Sequence, residues 1–361
     1  MEHSFNINGR NISPDQPPYI VAEISGNHGG ELPRAIKLIS EAKSAGADAV
    51  KIQSYTPDSI TIDHDGPEFI LEDGLWRGQK LYDLYQKAHT PIEWHKPLFE
   101  HANKIGITIF SSPFDQDAVQ LLEELGAPAY KIASPEIVEI NLIETCATTG
   151  KPIIISTGMA SVEEIEHAVS AARDAGATNI LLLHCISAYP TPIEESNLTT
   201  IRDLSERYRT SVGLSDHTSG SLAASLAVAQ GAVLIEKHFT LSRYNGAIDN
   251  AFSLEPNELK QLIKDTNTAY FAMGEPTYRP TKSEKSTLIL RRSLYAVSDI
   301  KVGDTLTSKN IRSIRPNPGL EPKFYKDILG KSAAKNIKRG QPLNFSMRNG
   351  LEDYPLTTAI T

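Results

Sequence analysis

Cysteine is scarce in this sequence, and the long apolar runs of membrane proteins are absent. The 361 residues include two cysteines, Cys146 and Cys185, which are too few for a disulfide framework or a cysteine-rich metal site. No apolar run approaches the ~18 residues that a membrane-spanning helix needs. Residues 1–5 also lack the basic start and apolar continuation of a secretory signal. These absences predict a soluble cytoplasmic protein without a membrane partner.

An excess of basic residues is lacking as well. The chain has 36 lysines and arginines against 44 aspartates and glutamates, for a formal net charge of −8. A protein whose main task is to bind nucleic-acid phosphates needs a basic face, so this balance argues against a nucleic-acid partner. A small anionic substrate remains compatible, because a pocket can concentrate a few lysines on an acidic protein.

Short apolar runs alternate with helix-patterned segments along most of the chain. The predicted strands cover residues 19–24, 49–54, 108–112, 129–134, 152–157, 179–185, 211–216 and 234–240. Their continuous hydrophobicity is typical of parallel strands covered on both faces. Eight such units in roughly 250 residues predict a (β/α)₈ barrel, the TIM-barrel fold. The alternative, an open doubly wound sheet, calls for a GxGxxG fingerprint after the first strand, and EISGNHGGEL does not supply one.

Composition divides the chain into two domains. We assign residues 1–277 to the barrel, 278–289 to a polar linker, 290–350 to a small β-rich domain and 351–361 to a tail. Within the barrel, the connection from 55 to 91 is unusually long. Loops of that length are often functional covers.

Polar and charged residues gather where the predicted strands end. They are Glu23, Lys51, Ser112, Lys131, Ser134, Glu136, Ser156, His184, Ser215, His217 and His238. Any one of them could be a satisfied strand end or half of an ion pair. Because the carboxyl ends of all barrel strands meet on one face, where barrel active sites are built, the set as a whole favours an active site.

The residue types suggest different roles for different members of this set. Lys51 and Lys131, with hydroxyls at Ser112, Ser134 and Ser156, suit a phosphate and a carboxylate. His217 and His238 end neighbouring strands and could bind one divalent cation, with open positions left for water or substrate. Satisfied core histidines are the commoner alternative.

Two carboxylates complete this set. Glu23 and Glu136 could move protons, since a confined glutamate titrates near neutrality. Ion pairs with the lysines are the alternative for them, and both readings can hold together.

Longer motifs resemble the sialic acid synthase superfamily. They include AEISGNHGG (22–30), AVKIQSYTPD (49–58), FSSPFD (110–115), YKIASPE (130–136), ISTGMAS (155–161), GLSDHT (213–218) and EKHFTL (236–241). RRSLYAVSDIKVGD (291–304) and ILGKSAAKNIKRGQPL (328–343) resemble the antifreeze-like SAF domain that ends members of that family. The segment 74–99, GLWRGQKLYDLYQKAHTPIEWHKPLF, resembles the branch of the superfamily that makes pseudaminic acid.

The resemblance implies an activity and its partners. Members of that branch condense phosphoenolpyruvate with 2,4-diacetamido-2,4,6-trideoxy-L-altropyranose and water, releasing phosphate by C–O cleavage. A divalent metal is implied as cofactor, with Mn²⁺ first and Mg²⁺ or Co²⁺ as alternatives. A domain-swapped homodimer is implied too. The other readings are a synthase of N-acetylneuraminic or legionaminic acid, a non-catalytic carbohydrate-binding protein, and a lyase or aldolase with a Schiff-base lysine at Lys131.

The resemblance also implies roles for single residues. Its catalytic positions fall on Glu23, Glu136 and Lys131, and its metal ligands on His217 and His238. Its substrate contacts fall on Lys51, Ser112, Ser134, Ser156, Ser187, Tyr189, Ser215, Asp249 and Arg315. Ser187 stands where sialic acid synthases have asparagine. Arg315, in an IRPNPG motif where IRPGxG is commoner, is implied to reach the neighbouring barrel of a dimer.

Overall fold

The structure, a computed structural model, describes residues 5–244 and 246–347. The tail predicted at 351–361, and the last residues of the predicted small domain, lie outside the described residues. Two compact units divide at Gly274 and Glu275. Within the described ranges, no helix is both long and apolar enough to cross a membrane.

The strands follow the predicted order. They are β1 Phe5–Ile7, β2 Arg10–Ile12, β3 Tyr19–Glu23, β4 Ala49–Ser54, β5 Thr108–Pro113, β6 Tyr130–Ile132, β7 Ile153–Ser156, β8 Ile180–Cys185, β9 Ser211–Asp216, β10 Leu234–His238, β11 Ser293–Ala296 and β12 Ile311–Ile314. Strands β3 to β10 are parallel, and β10 pairs with β3 to close an eight-stranded barrel. The (β/α)₈ prediction is confirmed.

Helices surround this barrel and alternate with its strands. They are α1 Leu32–Ala45, α2 Pro57–Ile60, α3 Leu81–Ala88, α4 Ile92–Ile105, α5 Gln116–Glu124, α6 Ile140–Thr148, α7 Val162–Asp174, α8 Thr200–Tyr208, α9 Leu222–Ala229 and α10 Pro256–Met273, with α11 Tyr325–Ile328 in the second unit. Two of them, α2 and α3, lie in the long connection after β4. That connection is therefore partly helical.

Local sequence signals set the helix ends. Ser161 accepts the Glu164 amide hydrogen, while the Glu164 carboxylate accepts that of Ser161, which is a capping box at the start of α7. Gly46 follows α1 with φ of 101°, a left-handed conformation that costs glycine little.

The sequence analysis missed an N-terminal hairpin formed by β1 and β2. Its signal is Asn8-Gly9 between alternating apolar residues, and both turn residues have positive φ. Phe5, Ile7 and Ile12 are buried in one apolar cluster with residues of the barrel strands. The hairpin thus supplies side chains to the apolar interior of the barrel.

The second unit has its own small core. Strands β11 and β12 are antiparallel, and isolated bridges join Tyr295 to Pro342 and Ile300 to Ile337. Buried residues from Leu294 to Met347 form its apolar cluster. The prediction of a small β-rich domain is confirmed, although its regular strands are short.

Candidate active site

Alternation along the barrel strands separates an apolar layer from a polar one. Strand residues of the interior cluster include Val21, Ala49, Phe110, Ala129, Ile154, Leu183 and Leu234. Two residues further along the same strands come Glu23, Lys51, Ser112, Lys131, Ser156, Cys185 and Glu236. Because side chains two apart point the same way, this second set also faces the interior, at the carboxyl end. The site is therefore a layer of polar side chains at the carboxyl end of the barrel, next to the apolar cluster that fills its interior.

Four buried charges form the centre of that layer. Lys51 Nζ forms an ion pair with Glu23 Oε2. Glu236 Oε1 lies 3.5 Å from Lys51 Nζ and 3.6 Å from Lys131 Nζ. Lys51 Nζ also donates to Ser112 Oγ over 3.3 Å. The charges alternate in sign, so each lysine has a carboxylate partner.

The two lysines differ in their electrostatic surroundings. Burial alone would lower the pKa of Lys51, but Glu23 and Glu236 outweigh it and raise that pKa. For Lys131, burial lowers the pKa and Glu236 compensates only in part. Burial would raise the pKa of Glu236, yet Lys131 and Lys51 hold it below the ordinary value. Lys131 is thus less fully compensated by carboxylates than Lys51.

Glu136 lies in the turn after β6, within a 3₁₀ helix over Pro135–Val138. Its Oε2 is buried without a hydrogen-bond partner among the described residues. Burial raises the pKa of Glu136 to about 7. A carboxyl group with this pKa can take or release a proton near neutral pH, as general acid–base catalysis requires.

Hydroxyl groups line the space beside the lysines. Ser156 Oγ is buried and has no partner in the described part of the chain. Ser215 Oγ donates to Glu236 Oε1 over 3.3 Å. A Cβ atom on Gly158 would lie 2.7 Å from Ser134 Oγ and 2.5 Å from Ser187 Oγ. Only glycine at this position leaves both hydroxyls room.

The predicted histidine pair does come together. The rings of His217 and His238 have centroids 5.3 Å apart. His217 Nδ1 lies 2.9 Å from the Ile186 carbonyl oxygen, so this nitrogen carries the hydrogen and Nε2 keeps a lone pair. His238 Nδ1 is buried without a partner within the described ranges, and burial lowers the pKa of His238 well below its usual value.

Burial would lower the pKa of His217, but Cys185 outweighs it and raises that pKa, so a divalent cation would displace any proton on this ring. In their neutral forms the two imidazoles fit such a cation. The described residues contain no cluster of three or more histidine, cysteine or acidic side chains that could bind a metal. The chain would therefore contribute two ligands, and other positions would be open to water and substrate.

The sugar-facing residues predicted from the sequence lie beside this pair. The centroid of the Tyr189 ring lies 4.3 Å from the ring centroid of His217 and 6.1 Å from that of His238. Asp249 Oδ2 accepts a hydrogen bond of 3.3 Å from the Gly26 amide, and burial raises the pKa of Asp249 to about 6.

Two further residues singled out in the sequence are His184 and Arg315. His184 Nε2 lies 2.7 Å from the Ser196 carbonyl oxygen, which is the hydrogen-bonding alternative for that residue. Arg315 belongs to the second unit and is exposed, and the role across a dimer stays a prediction.

The sequence analysis missed three residues of this region. Glu236 is quoted in a motif but received no role, although it precedes His238 by two residues and so shares its inward direction. Cys185 Sγ lies 3.9 Å from His217 Nδ1 and 3.7 Å from Ser187 Oγ. Trp76 sits in the long loop after β4, with its ring 5.7 Å from Tyr189. Nothing in its local sequence signals that contact.

Comparisons with known proteins identify the family of the chain. Residues 38–278 match the NeuB family, and residues 291–347 match the SAF domain. The chain is 46% identical to the pseudaminic acid synthase of Helicobacter pylori, over 91% of this chain and 97% of that protein. It is 44% identical to the pseudaminic acid synthase of Campylobacter jejuni strain 81-176, over 93% of this chain and 98% of that protein.

A solved structure shares the fold. The N-acetylneuraminic acid synthetase of Leptospira borgpetersenii, crystallised with citrate, superposes with a TM-score of 0.71 at 34% identity. The match covers 80% of this chain and 96% of that one.

Proposed function

The chain belongs to the NeuB family, and from this premise we propose that it condenses phosphoenolpyruvate with 2,4-diacetamido-2,4,6-trideoxy-L-altropyranose to make pseudaminic acid. The observation that carries the proposal is the buried pair of lysines sharing Glu236, two residues before His238. Such a site combines cations for an anionic substrate with two metal-ligating imidazoles.

Phosphoenolpyruvate fits the charge and the donors of this site. Its phosphate and carboxylate need cations, and Lys51 and Lys131 provide them from neighbouring parts of the barrel. The hydroxyl of Ser156 has no competing partner among the described residues, so it is free to donate to a ligand. Ser112, Ser134, Ser187 and Ser215 supply further donors around the same space.

The choice of sugar rests on sequence similarity. Identity to the two pseudaminic acid synthases is 46% and 44%, against 34% to the N-acetylneuraminic acid synthetase. A synthase of N-acetylneuraminic or legionaminic acid is the alternative within the family. Rates with a panel of sugar substrates separate these activities.

The reaction forms one C–C bond and one C–O bond to the oxygen of water, and it breaks the C–O bond to phosphate. Carbon 3 of phosphoenolpyruvate attacks the aldehyde carbon of the open-chain sugar, whose oxygen gains a proton. Water adds to carbon 2 of the former phosphoenolpyruvate, and phosphate leaves with its bridging oxygen. His217 and His238 would hold a divalent cation, with Mn²⁺ proposed first, and this cation would supply Lewis acidity at the sugar oxygen.

The protein's own groups position the reactants and move the protons. Lys51 and Lys131 hold the anionic ends of phosphoenolpyruvate and orient carbon 3, and such positioning is a large part of the rate. Glu136, with its pKa of about 7, takes the proton of the added water. Glu23, ion-paired with Lys51, starts as a carboxylate, so we propose that it takes the proton of the anomeric hydroxyl when the sugar ring opens and returns that proton to the aldehyde oxygen when the C–C bond forms. The ring oxygen takes its proton from solvent.

Product identification tests the proposal. Purified protein with phosphoenolpyruvate and the diacetamido sugar is expected to give phosphate and a product with the mass of pseudaminic acid. In ¹⁸O-water, label should enter the product and not the phosphate. Lys131→Ala should lose this activity, whereas Lys96→Ala, at an exposed lysine of α4, should keep it.

A panel with N-acetylmannosamine and the sugar precursor of legionaminic acid separates the other synthases. Faster product formation from either would overturn the choice of sugar. Glycan binding without turnover of any sugar would instead favour a carbohydrate-binding protein. Borohydride trapping of a Lys131 adduct would indicate a Schiff-base lyase or aldolase.

The homodimer is proposed from the family resemblance together with the exposure of Arg315. In it, the second unit of one protomer would present this arginine to the barrel of its partner. A monomeric mass in solution at working concentration would contradict this arrangement.

A further inference from the structure

In the long loop after β4, the side chain of Trp76 points back toward the barrel. Backbone hydrogen bonds of 3.0 Å from Leu71 N to Gln79 O and 2.7 Å from Gly78 N to Leu71 O tie the base of its tip. Residues 72–75 and 77–78 of that tip are exposed, whereas Trp76 is half-buried. The hairpin-like tip thus presents Trp76 while its neighbours face solvent.

Trp76 joins two aromatic residues from other barrel loops. Its ring centroid lies 5.7 Å from that of Tyr189 and 6.4 Å from that of Phe252. The Tyr189 and Phe252 rings are themselves 5.0 Å apart. We call these three residues the aromatic wall. Loops after β4, β8 and β10 each contribute one ring.

The aromatic wall stands directly beside the histidine pair. Tyr189 lies 4.3 Å from His217 and Phe252 lies 4.8 Å from His238, measured between ring centroids. Trp76 is one ring further out than these contacts. A sugar whose aldehyde reaches the histidines would therefore extend the rest of its chain along the wall.

Two of the three rings in the wall, Trp76 and Phe252, offer carbon surface without a free hydrogen-bonding group, and the third, Tyr189, carries one hydroxyl. The Trp76 indole N–H donates to the Ile248 carbonyl oxygen over 3.4 Å, so it is not free for a ligand. Phe252 is 7% exposed and has no polar atom. Such a surface stabilises methyl and methylene groups, and it cannot replace the water bound to a sugar hydroxyl.

We propose that Trp76 determines sugar specificity by packing against the apolar, 6-deoxy end of the sugar. This inference rests on the proposed function, because it assigns the distal part of that substrate to the wall. A hydroxyl at carbon 6 would lose hydration against Trp76 and Phe252, and neither ring would give it a hydrogen-bond partner. Apolar pockets discriminate against an added hydroxyl by a factor of up to ~100.

Two sugars that differ only at carbon 6 test the proposal. They are the 2,4-diacetamido-2,4,6-trideoxy sugar and its 6-hydroxy counterpart, each with saturating phosphoenolpyruvate. The wild type should prefer the deoxy sugar in kcat/KM by a factor of ~10 to 100. Trp76→Ala should lose most of this preference with the KM for phosphoenolpyruvate unchanged, whereas Trp76→Phe should retain part of it.

The second tryptophan provides the control. The chain has two tryptophans, and Trp94 packs against His28 at 5.3 Å between ring centroids. Trp94→Phe should keep the sugar preference and leave Trp76 as the emitting residue. In the Trp94→Phe variant, the fluorescence of Trp76 should change on addition of the deoxy sugar and reach saturation. The Trp76→Phe variant retains Trp94 and should show no such change.

The outcomes separate this inference from the proposed function. A Trp76→Ala variant with the wild-type sugar preference would overturn the role of Trp76. A wild type that converts neither sugar would contradict the proposed substrate, and the fluorescence titration then decides the inference alone. Equal emission changes with both sugars, or none with either, would overturn it.

Discussion

Asp216 and Lys237 form a buried ion pair of 2.7 Å, with both side chains 1% exposed. They are register partners across β9 and β10, and each immediately precedes one of the two candidate metal ligands. Asp216 Oδ1 also accepts 2.8 Å hydrogen bonds from the Thr218 amide and hydroxyl. The ends of the two strands are thereby tied together just before His217 and His238.

Breaking this pair on one side should destabilise the barrel. Lys237→Met leaves the Asp216 carboxylate buried without its cation, and we expect a loss of about 3–5 kcal/mol in the free energy of unfolding. Arg207→Met removes an exposed ion pair with Asp203 and should leave the free energy of unfolding almost unchanged. Urea denaturation measures both. Adding Asp216→Asn to Lys237→Met should recover part of the loss, and a similar cost in the two single variants would contradict the argument.

The pKa of Glu136 predicts the acid limb of the rate profile. Because burial raises this pKa to about 7, the carboxyl is mostly protonated below pH 7 and cannot act as a base there. The value of kcat/KM should therefore rise with pH through about 7 and level off above it. Glu136→Gln should remove this limb and lower kcat by ~10²–10⁴-fold. The exposed Glu144 of α6 offers a control, since Glu144→Gln should leave the profile in place.

Metal removal should abolish turnover reversibly. We expect a chelator to stop phosphate release and Mn²⁺ to restore it more effectively than Mg²⁺ or Co²⁺. His217→Ala and His238→Ala should each weaken metal binding, measured by calorimetry on the chelated protein. His167→Ala, at an exposed histidine of α7, should bind metal like the wild type. Full activity in the presence of chelator would refute the metal requirement.

Glu236 should couple folding to phosphoenolpyruvate binding. Its carboxylate lies between Lys51 and Lys131, so Glu236→Gln leaves two buried cations with one carboxylate, Glu23. The variant should unfold at a lower temperature than the wild type, because uncompensated buried charge is costly. An anionic ligand replaces the missing charge and binds only the folded state, so phosphoenolpyruvate should raise the midpoint more in the variant.

Differential scanning fluorimetry with and without phosphoenolpyruvate measures this coupling. Glu123→Gln serves as control, since Glu123 pairs with Lys151 at the surface. Its response to phosphoenolpyruvate should match that of the wild type. A Glu236→Gln protein with an unchanged midpoint in the absence of ligand would count against the coupling.

Much of the fold could be predicted from the sequence because the barrel repeats one simple pattern. Each parallel strand is covered on both faces and therefore reads as a continuous apolar run, and the runs at 49–54 and 211–216 coincide with β4 and β9. The N-terminal hairpin was missed although Asn8-Gly9 is its turn signal. Its strands have three residues each, which is too short for a clear alternation of apolar and polar residues, so the turn signal stood alone.

The candidate site, like the fold, could be predicted from the sequence only in part. Lys51, Lys131, His217 and His238 could be predicted because each ends a strand, and the topology sends all strand ends to one face. Period-two alternation also points to Glu236, but one carboxylate in an apolar strand identifies no partner. That it serves both Lys51 and Lys131 follows only from the closed barrel.

The sequence by itself therefore determined the barrel, the small second domain and the residue types that gather at the strand ends. Only the tertiary structure decided which charges pair, that His238 has a nitrogen with no partner among the described residues, and that Trp76 reaches Tyr189. The physical reason is that strands and helices follow from contacts within one stretch of chain. Ion pairs and ring contacts join residues that lie far apart in the sequence, and they exist only once the barrel has closed.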